Sequence, residues 1–242
     1  MEKITAGGRE IEYHIRRGKR KKSIAISISS ACRVVVLAPQ VLSKEKIREI
    51  VRKKSRWILK KQADFKKLRE LYPEKEYVSG EQLLFLGRKY RLKLLDAEDD
   101  SAPEPVIIGR RLLIKINKSL VLENRKKTIK EVLAKWYYSR ASEILLQRAK
   151  RYSELLNLVP NKILVRNQQK RWGSCSRSGM LRFNWRIALA PISIIDYVVV
   201  HEICHLKEKN HSGEFWKQVS LVIPNYKKRR QWLRDNSVGM DI

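Results

Sequence analysis

Val198 to Trp216 read VVVHEICHLKEKNHSGEFW, and this stretch decides the fold and the chemistry that we expect. Three of the four histidines in the chain, His201, His205 and His211, lie within it. Residues four apart share one face of a helix, so imidazoles spaced like His201 and His205 can bind one metal ion. Glu202 is rotated from that face, so its carboxylate can accept a proton from a water molecule at the ion. The spacing therefore predicts a metal site on a helix.

A catalytic metal site needs a third protein ligand, and two residues compete for that place. Glu208 shares the face of His205, but an unbroken helix puts it about 10 Å along the axis from His201. His211 follows Asn210, a residue suited to ending a helix in a left-handed conformation. A chain that turns there can bring the imidazole back to the metal. We therefore prefer His211 as the ligand and keep Glu208 as a possible hydrogen-bond partner for an imidazole N–H.

Capping and helix-breaking residues set the expected helices around this stretch. Ser193 fits an N-cap, and Asp196 three residues later completes a capping-box pattern. We expect the metal helix to run from Ser193 to Lys209. A second helix is predicted from Ser212 to Val222, and a third after Pro224.

The segment before the metal helix has the pattern of a small sheet. Residues 162–191 read KILVRNQQKRWGSCSRSGMLRFNWRIALAP, which predicts a meander of antiparallel strands. Residues 119–155 are helical in pattern. The order helix, antiparallel sheet, helix, helix favours an α+β fold over a wound parallel sheet.

The N-terminal half is predicted to be rich in strands. The first forty residues are β-branched and partly alternating, and a long helix follows from Ser43 to Leu71. Two hairpin-like segments, 83–95 and 106–116, each carry Gly-Arg at the turn. We therefore divide the chain into a β-rich N-terminal region with one long helix, residues 1–117, and a domain that carries the metal site, residues 118–242.

Positive charge is the strongest feature of the composition. The 242 residues contain 54 Lys plus Arg and 25 Asp plus Glu, for a formal net charge of +29. Such a surface attracts polyanions. The basic residues are spread over distant segments, Arg16–Lys22, Val51–Lys67 and Tyr226–Arg230, so non-specific nucleic-acid contact and a merely solvated basic surface both stay open. No apolar run is long enough to span a bilayer, and the first ten residues lack a signal-peptide core, so we expect a cytoplasmic protein without membrane contact.

Five residues are candidates for binding the substrate. Arg171, Trp172, Gly173 and Ser174 lie in a strand just before the metal helix, where an edge strand can bind an extended peptide as an added strand. The structural alternative is a twisted hairpin with Trp172 packed on the core. Tyr197 lies one turn before the first histidine and can donate a hydrogen bond to a developing oxyanion, or fill the interface between sheet and helix.

Two segments carry a resemblance to a known family. RWGSCSRSGMLRFNWRIALAP and IDYVVVHEICHLKEKNHSGEFW, with the basic tail around Trp232, closely resemble the YgjP-like family of metal-dependent hydrolases. The histidine pattern is more distantly similar to Wss1-like (WLM) and SprT-like zinc metalloproteases. The resemblance is specific over residues 162–236 and looser over the N-terminal half, where the two hairpin-like segments fit the family's general layout. The chain departs from the metzincin pattern, which has Gly in place of Glu208, and Met240 does not form a convincing Met-turn.

The resemblance implies a zincin-like catalytic domain, with an antiparallel sheet plus an active-site helix, over residues 118–242. It also implies one zinc ion per chain, held by His201, His205 and His211, with Glu202 as the catalytic base.

Three functions remain in competition after the sequence is read. We expect a zinc-dependent hydrolase, specifically a cytoplasmic metallopeptidase that acts on a peptide or protein. The first alternative is a nucleic-acid-associated binding protein, or a protease that acts on nucleic-acid-bound proteins. The second is a zinc hydrolase of a non-peptide amide bond. Mn, Fe or Co can replace zinc at such ligands, because metal availability decides much of that choice.

Overall fold

The structure, a computed structural model, describes residues 1–18, 23–29, 32–71, 73–98, 104–117, 121–168 and 171–241. It is a mixed α+β fold, as the sequence predicted. The chain divides into two compact units, Met1–Glu74 and Lys75–Ile242. None of the described helices is long and apolar enough to cross a membrane.

The first unit contains a four-stranded sheet and two helices. Its strands are β1 (Glu2–Ala6), β2 (Arg9–Gly18), β3 (Ala25–Ile28) and β4 (Val34–Pro39), in the order β1-β2-β4-β3. The central strands β2 and β4 are parallel, and the outer pairs are antiparallel. The core consists of alternating apolar residues from the sheet and of helix residues, namely Ile4, Ile11, Tyr13, Val34, Val36, Ala38, Ile47, Val51 and Ile58.

The long N-terminal helix predicted from Ser43 to Leu71 is two helices in the structure. These are α1 (Lys44–Lys53) and α2 (Ser55–Leu71). Lys54 separates them because its backbone leaves the helical region, with φ −97° and ψ 5°. Ser43 caps α1 by accepting a hydrogen bond from the Lys46 N–H.

The second unit begins with a sheet of the same topology as the first. Its strands are β5 (Gln82–Phe85), β6 (Arg88–Ala97), β7 (Val106–Ile108) and β8 (Arg111–Asn117), in the order β5-β6-β8-β7. Again the two central strands are parallel and the outer pairs antiparallel. The hairpin-like segments 83–95 and 106–116 are thus the two halves of one sheet, and the chain repeats one four-stranded arrangement.

This second sheet packs with the C-terminal residues in one core. Buried residues from β5, β6 and β8, such as Leu83, Leu92 and Ile114, belong to the same apolar cluster as Tyr137 and Val199. The sequence suggested a division after residue 117, whereas the compact units divide after Glu74. The reason is that the apolar face of this sheet is buried against the helices that follow it.

A long helix and a three-stranded sheet precede the metal helix. Helix α3 (Leu122–Leu156) ends at Asn157, which adopts a left-handed conformation with φ 51°. Ser119, where the helix was expected to begin, lies outside the described residues. The strands are β9 (Lys162–Arg166), β10 (Gly173–Cys175) and β11 (Met180–Asn184), in the order β10-β11-β9.

The prediction of a wholly antiparallel meander was wrong for one strand pair. Strands β11 and β9 are parallel, whereas β10 and β11 are antiparallel. The central strand is β11, the most buried of the three, where Leu181 and Phe183 are fully buried. The short polar strand β10 is left at the sheet edge.

Three helices complete the fold, α4 (Ile192–Cys204), α5 (Gly213–Val222) and α6 (Tyr226–Asn236). The predicted capping box at the start of α4 was wrong. Pro191 occupies the N-cap position without a side-chain hydrogen bond. Asp196 is buried instead and faces Arg148 of α3, 3.5 Å away, so this carboxylate pairs with a neighbouring helix rather than with its own backbone.

Candidate metal centre

Helix α4 is a rigid support for the first histidine and the glutamate of the motif. Every residue from Ile194 to Val200 is buried. The helix packs against α3, α5, α6 and the edge strand β10. His201 and Glu202 therefore project from a backbone that neighbouring elements hold on several sides, as a precise metal site requires.

The chain leaves helix α4 at His205, earlier than the sequence suggested. The helix was predicted to continue to Lys209 and to end at a left-handed Asn210. Instead its last residue is Cys204, and the N–H of Glu208 donates to the Cys204 carbonyl in a tight turn. Asn210 is not among the residues with positive φ. This earlier turn returns the chain to the helix face and brings the third histidine back to the first two.

The three histidines converge on one point. The nearest ligand atoms of His201, His205 and His211 all lie within 4.8 Å of one another. The Nε2 atoms of His201 and His211 are 3.1 Å apart. Ring nitrogens that point at each other at this distance fit a shared cation, because each neutral imidazole offers one lone pair.

A backbone carbonyl fixes the orientation of the second histidine. The Nδ1 of His205 lies 2.8 Å from the carbonyl oxygen of Glu208. An N–H at Nδ1 donates to that oxygen, which leaves the Nε2 lone pair free for a metal. Glu208 was predicted as a possible partner for an imidazole N–H, and in the structure its main chain, not its carboxylate, makes this contact.

Two aromatic side chains hold the imidazoles in place from α5. The fully buried ring of Phe215 lies 4.9, 4.4 and 4.9 Å from the rings of His201, His205 and His211. Trp216 stacks on His211 with ring centroids 5.5 Å apart. These contacts restrict the rings to one arrangement, which lowers the entropy that metal binding would otherwise cost.

Burial favours the neutral form of His201 and His205. Burial and, after it, the charges of His205, His211 and Arg230 lower the pKa of His201 to about 3. Burial also lowers the pKa of His205. A base with a lowered pKa is unprotonated at neutral pH, and the neutral imidazole is the form that binds a metal.

The donor set fits a transition-metal ion on two further grounds. It consists of three imidazole nitrogens, a set that suits zinc. Within the described part of the chain, the buried Nδ1 of His201 has no hydrogen-bond partner. The Nε2 of the same imidazole faces Nε2 of His211 at 3.1 Å, and a metal ion bound by both atoms would offset part of the cost of burying the ring.

Glu202 is a buried carboxylate beside the histidines. Only 6% of this residue is exposed. Burial raises the pKa of its carboxyl to about 8, and the positive charge of Arg171 opposes that rise. Its ligand atoms do not belong to the histidine group. Glu202 is thus next to His201 in sequence but outside the group of three histidines, and its role as the base stays a prediction.

Gly173 of β10 allows Glu202 to lie where it does. A Cβ atom on residue 173 would lie 2.6 Å from Cγ and 2.7 Å from Oε1 of Glu202. Such distances are far inside van der Waals contact, so any other residue here would displace the carboxylate.

The other predicted site residues lie near Glu202 and Gly173 in different environments. Ser174 lies with Gly173 in the edge strand β10. The indole N–H of Trp172 donates to Ser237 Oγ at 3.3 Å, so this side chain is tied to the C-terminal segment. Tyr197 is buried, 5% exposed, and its ring lies 5.8 Å from that of His201. Arg171 is exposed on the Glu202 side of the site.

Sequence reasoning missed the contribution of α6 to this region. Tyr226 stacks on Trp216 with ring centroids 4.9 Å apart, and the Arg230 guanidinium carbon lies 5.0 Å from the centre of the same indole. The segment was noted only for its basic charge. The spacing of Tyr226, Arg230 and Arg234 at four-residue intervals, which puts them on one helix face, was a signal that could have found it.

Replacing Glu208 by alanine tests the choice of the third ligand. We expect Glu208→Ala to bind the metal as the unchanged chain does, because the contact to His205 comes from the backbone carbonyl, which alanine retains. Metal content after purification and an affinity titration would measure this. If the variant loses the metal, the carboxylate of Glu208 is a ligand and the role assigned to His211 is wrong.

Comparison with known proteins places most of the chain in one family model. The model of the YgjP-like family, metallopeptidase domain, matches residues 22–236. Among solved structures, the chain is similar to the metallopeptidase zymogen of Pyrococcus abyssi abylysin, with 18% sequence identity and a TM-score of 0.35. That match covers 38% of this chain and 93% of the abylysin chain. No curated protein matches the chain.

Proposed function

This chain belongs to the YgjP-like metallopeptidase family, and we propose that it is a zinc-dependent peptidase in which Glu202 is the general base. The observation that carries the proposal is the convergence of three histidine nitrogens next to a buried carboxylate. A peptidase of this type acts on a peptide or protein.

The proposed cofactor is one zinc ion per chain, held by His201, His205 and His211. Three neutral imidazoles and an open fourth position are the ligand set of a catalytic rather than a structural zinc. When bound, zinc supplies a Lewis acid that polarises a carbonyl and provides a water-derived nucleophile at neutral pH. The buried aromatic ring of Phe215, which contacts all three imidazoles, would keep the ligands in this arrangement.

Glu202 is proposed to take the proton from the attacking water and pass it to the leaving amine. Its burial makes the carboxylate a stronger base than an exposed glutamate, because the ionised form is poorly solvated. The positive charge of Arg171 favours the ionised form. The residue then has an affinity for protons suited to general-base catalysis near neutral pH.

The substrate is proposed to lie along the edge strand β10. Strand β10 pairs with β11 on one side and is at the end of its sheet. An extended peptide could pair with the other side of residues 173–175 and pass the metal position, which would bring its carbonyl toward Glu202. Support is strongest for Gly173 and Ser174, and weaker for Trp172, which is tied to Ser237. Tyr197 is proposed as an oxyanion donor, and its proximity to His201 supports this role.

Cleavage of a mixed peptide library by the full-length chain tests the proposed function. We expect cleavage by the zinc-loaded protein, loss of cleavage after chelation, and recovery when zinc is restored. Mass spectrometry of the products would identify the bonds that are broken. Zinc-dependent hydrolysis of small amides without any peptide cleavage would favour the non-peptide alternative, and no hydrolysis at all would contradict the proposal.

Gly173→Ala is expected to keep zinc but to reduce the cleavage rate by about 100-fold, because its Cβ would push the Glu202 carboxylate from its place. The overpacking should also lower the free energy of unfolding by about 1–3 kcal/mol. Gly213→Ala is the matched control, since a Cβ there meets nothing within 4 Å. Cleavage rates, zinc content and urea unfolding of both variants would test this prediction. Full activity of Gly173→Ala would mean that catalysis does not depend on the place of the Glu202 carboxylate next to residue 173.

Contact with nucleic acid is a second proposal, carried by the first unit. On α2, Trp57 is 44% exposed, with the exposed cations Arg56 and Lys60 near it in the helix. Aromatic rings among cations can stack on bases of single strands. We expect the full chain to bind DNA or RNA with micromolar-scale affinity at low salt, chiefly through Arg16–Lys67, with little base preference.

This binding should weaken steeply with added salt, because it would come from displaced counterions. Trp57→Ala should weaken binding to single strands by about 10-fold, as loss of one stacking contact does. Absence of measurable binding at about 50 mM salt would mean that the positive charge is only a solvated surface. The cytoplasmic location and the distant similarity to Wss1-like and SprT-like proteases stay predictions.

A further inference from the structure

One face of α6 lines the outer side of the histidine cluster. Tyr226, Arg230 and Arg234 follow each other at intervals of four residues and so lie on the same face. The ring of Tyr226 is nearly parallel to that of Trp216, at 13° and 4.9 Å. The guanidinium carbon of Arg230 is 5.0 Å from the centre of the same indole. Trp216 in turn stacks on His211. A cation is therefore held one aromatic layer away from the proposed metal position.

Both arginines act electrostatically on groups of the site. The charge of Arg230 lowers the pKa of His201, after burial and the two other histidines, and it lowers that of Tyr197 against the rise caused by burial. The charge of Arg234 also lowers the pKa of Tyr197. For Arg230 this agrees with its contact with Trp216, and for Arg234 it agrees with the four-residue spacing that puts it on the same face of α6.

Neither arginine has an acidic partner within the described residues. Both side chains are exposed, and no carboxylate there lies within ion-pair distance of them. Neighbouring polar groups of the same helix are engaged, because Arg229 donates to the Ser193 carbonyl and Gln231 donates to Asp235. The face that looks toward the site therefore carries two cations without counter-charges.

The aromatic contact prepares Arg230 for binding a carboxylate. A guanidinium group that lies over an aromatic ring uses its π-face, and its N–H groups in the plane remain available as donors. The planar pair of N–H groups matches the two oxygens of a carboxylate. Because the indole restrains the side chain, less conformational entropy is lost when the ligand binds.

We propose that Arg230, assisted by Arg234, binds a carboxylate of the substrate, either an acidic side chain or the C-terminus, next to the scissile bond. The proposal rests on the proposed function, because it assigns the substrate class of that site. On the other sides, the charges of Arg171 and Lys209 act on Glu202 and His205. A substrate that carries negative charge would meet cations around the opening, so acidic peptides are the preferred class.

Peptide binding to the zinc-loaded Glu202→Gln protein tests this without requiring catalysis. The probes are short acetylated alanine peptides with one Glu or one Gln, each made with a free C-terminus or a C-terminal amide. If Arg230 binds the acidic side chain, we expect the amidated Glu peptide to bind about 10-fold more tightly than the amidated Gln peptide. One charge-assisted hydrogen bond contributes about this much. A preference of the same size for the free C-terminus over the amide would show that the terminal carboxylate is read. Calorimetry would measure both.

Arg230→Gln in that background should reduce the preference to about one. Lys228→Gln, which removes a charge from the opposite face of α6, is the matched control and should retain it. If Arg230 only supported the indole, its loss would weaken all four peptides equally and leave their ratio unchanged. Added salt gives a second measurement on the protein with Arg230 intact, because an exposed ion pair of this kind should lose its preference at about 1 M salt.

Equal binding of all four peptides before mutation, binding of none, or a preference that survives Arg230→Gln would overturn the inference. The proposed function is judged separately, by library cleavage with the unchanged chain. Cleavage of amidated neutral peptides as fast as of peptides that carry a carboxylate would leave the peptidase standing and contradict carboxylate recognition. Selective binding of acidic peptides without cleavage of any peptide would support carboxylate recognition and contradict the peptidase.

Discussion

Purified His201→Ala and His211→Ala proteins are expected to contain almost no zinc, whereas the unchanged chain should contain about one ion per molecule. The ligand nitrogens of the three histidines lie within 4.8 Å of one another, so each variant removes one third of the proposed protein ligands. Loss of an outer hydrogen-bond partner alone typically costs 10-fold to 100-fold in metal affinity, and loss of a ligand should cost at least about 100-fold. Metal analysis and competition with a chelator would measure the change.

The fourth histidine provides the control for this experiment. His14 is exposed on β2, in the other compact unit, and His14→Ala should keep full zinc occupancy. Zinc should also raise the melting temperature of the unchanged chain and of His14→Ala, but not of the two ligand variants, because a ligand that binds only the folded state stabilises it. Full occupancy in His211→Ala, together with loss of zinc in Glu208→Ala, would move the third ligand to Glu208.

Glu202→Gln is expected to keep zinc and the fold while its rate of peptide cleavage falls by about 100-fold to 10,000-fold, the usual cost of losing a general base. Glutamine has nearly the same shape, so the close contact with Gly173 is preserved. It cannot accept the proton of the attacking water. The uncharged amide should also remove the cost of burying a carboxylate, so the variant should be at least as stable as the parent.

Turnover numbers measured with saturating zinc would separate this effect from metal loss. A parallel Glu208→Gln variant controls for the removal of one negative charge close by in sequence, and it should cleave at the parent rate. If Glu202→Gln turns over at nearly the parent rate, Glu202 has no place in the mechanism, even though it is buried beside the histidines.

The local geometry of the site followed from the sequence because a helix fixes it. The spacing of His201 and His205 predicts their common face, and the position of Glu202 predicts a neighbouring carboxylate. The return of His211 could also be expected. Its cause could not, because the turn begins at His205 and is held by the Glu208 carbonyl and by Phe215, contacts that exist only in the folded chain.

Longer-range features were harder to predict because they depend on which faces meet. The parallel pairing of β9 with β11 reflects the burial of Leu181 and Phe183, and residue patterns alone do not rank strands in this way. The repeat of the four-stranded sheet could not be recognised from the sequence. The two copies share little more than the turn glycines Gly8 and Gly87, each followed by arginine. In the sequence, Arg230 is only one residue of a basic segment. Its contact with Trp216 in the folded chain is what places it beside the proposed site.

X-ray absorption at the zinc edge of the purified full-length protein tests the central claim most directly. The account predicts about three nitrogen neighbours at 2.0–2.1 Å, one further light atom, and no sulfur. The same spectrum from His211→Ala should lose this nitrogen shell or show no bound zinc. A sulfur neighbour at about 2.3 Å, which would come from Cys175 or Cys204, or a shell made mostly of oxygen, would contradict the three-histidine site.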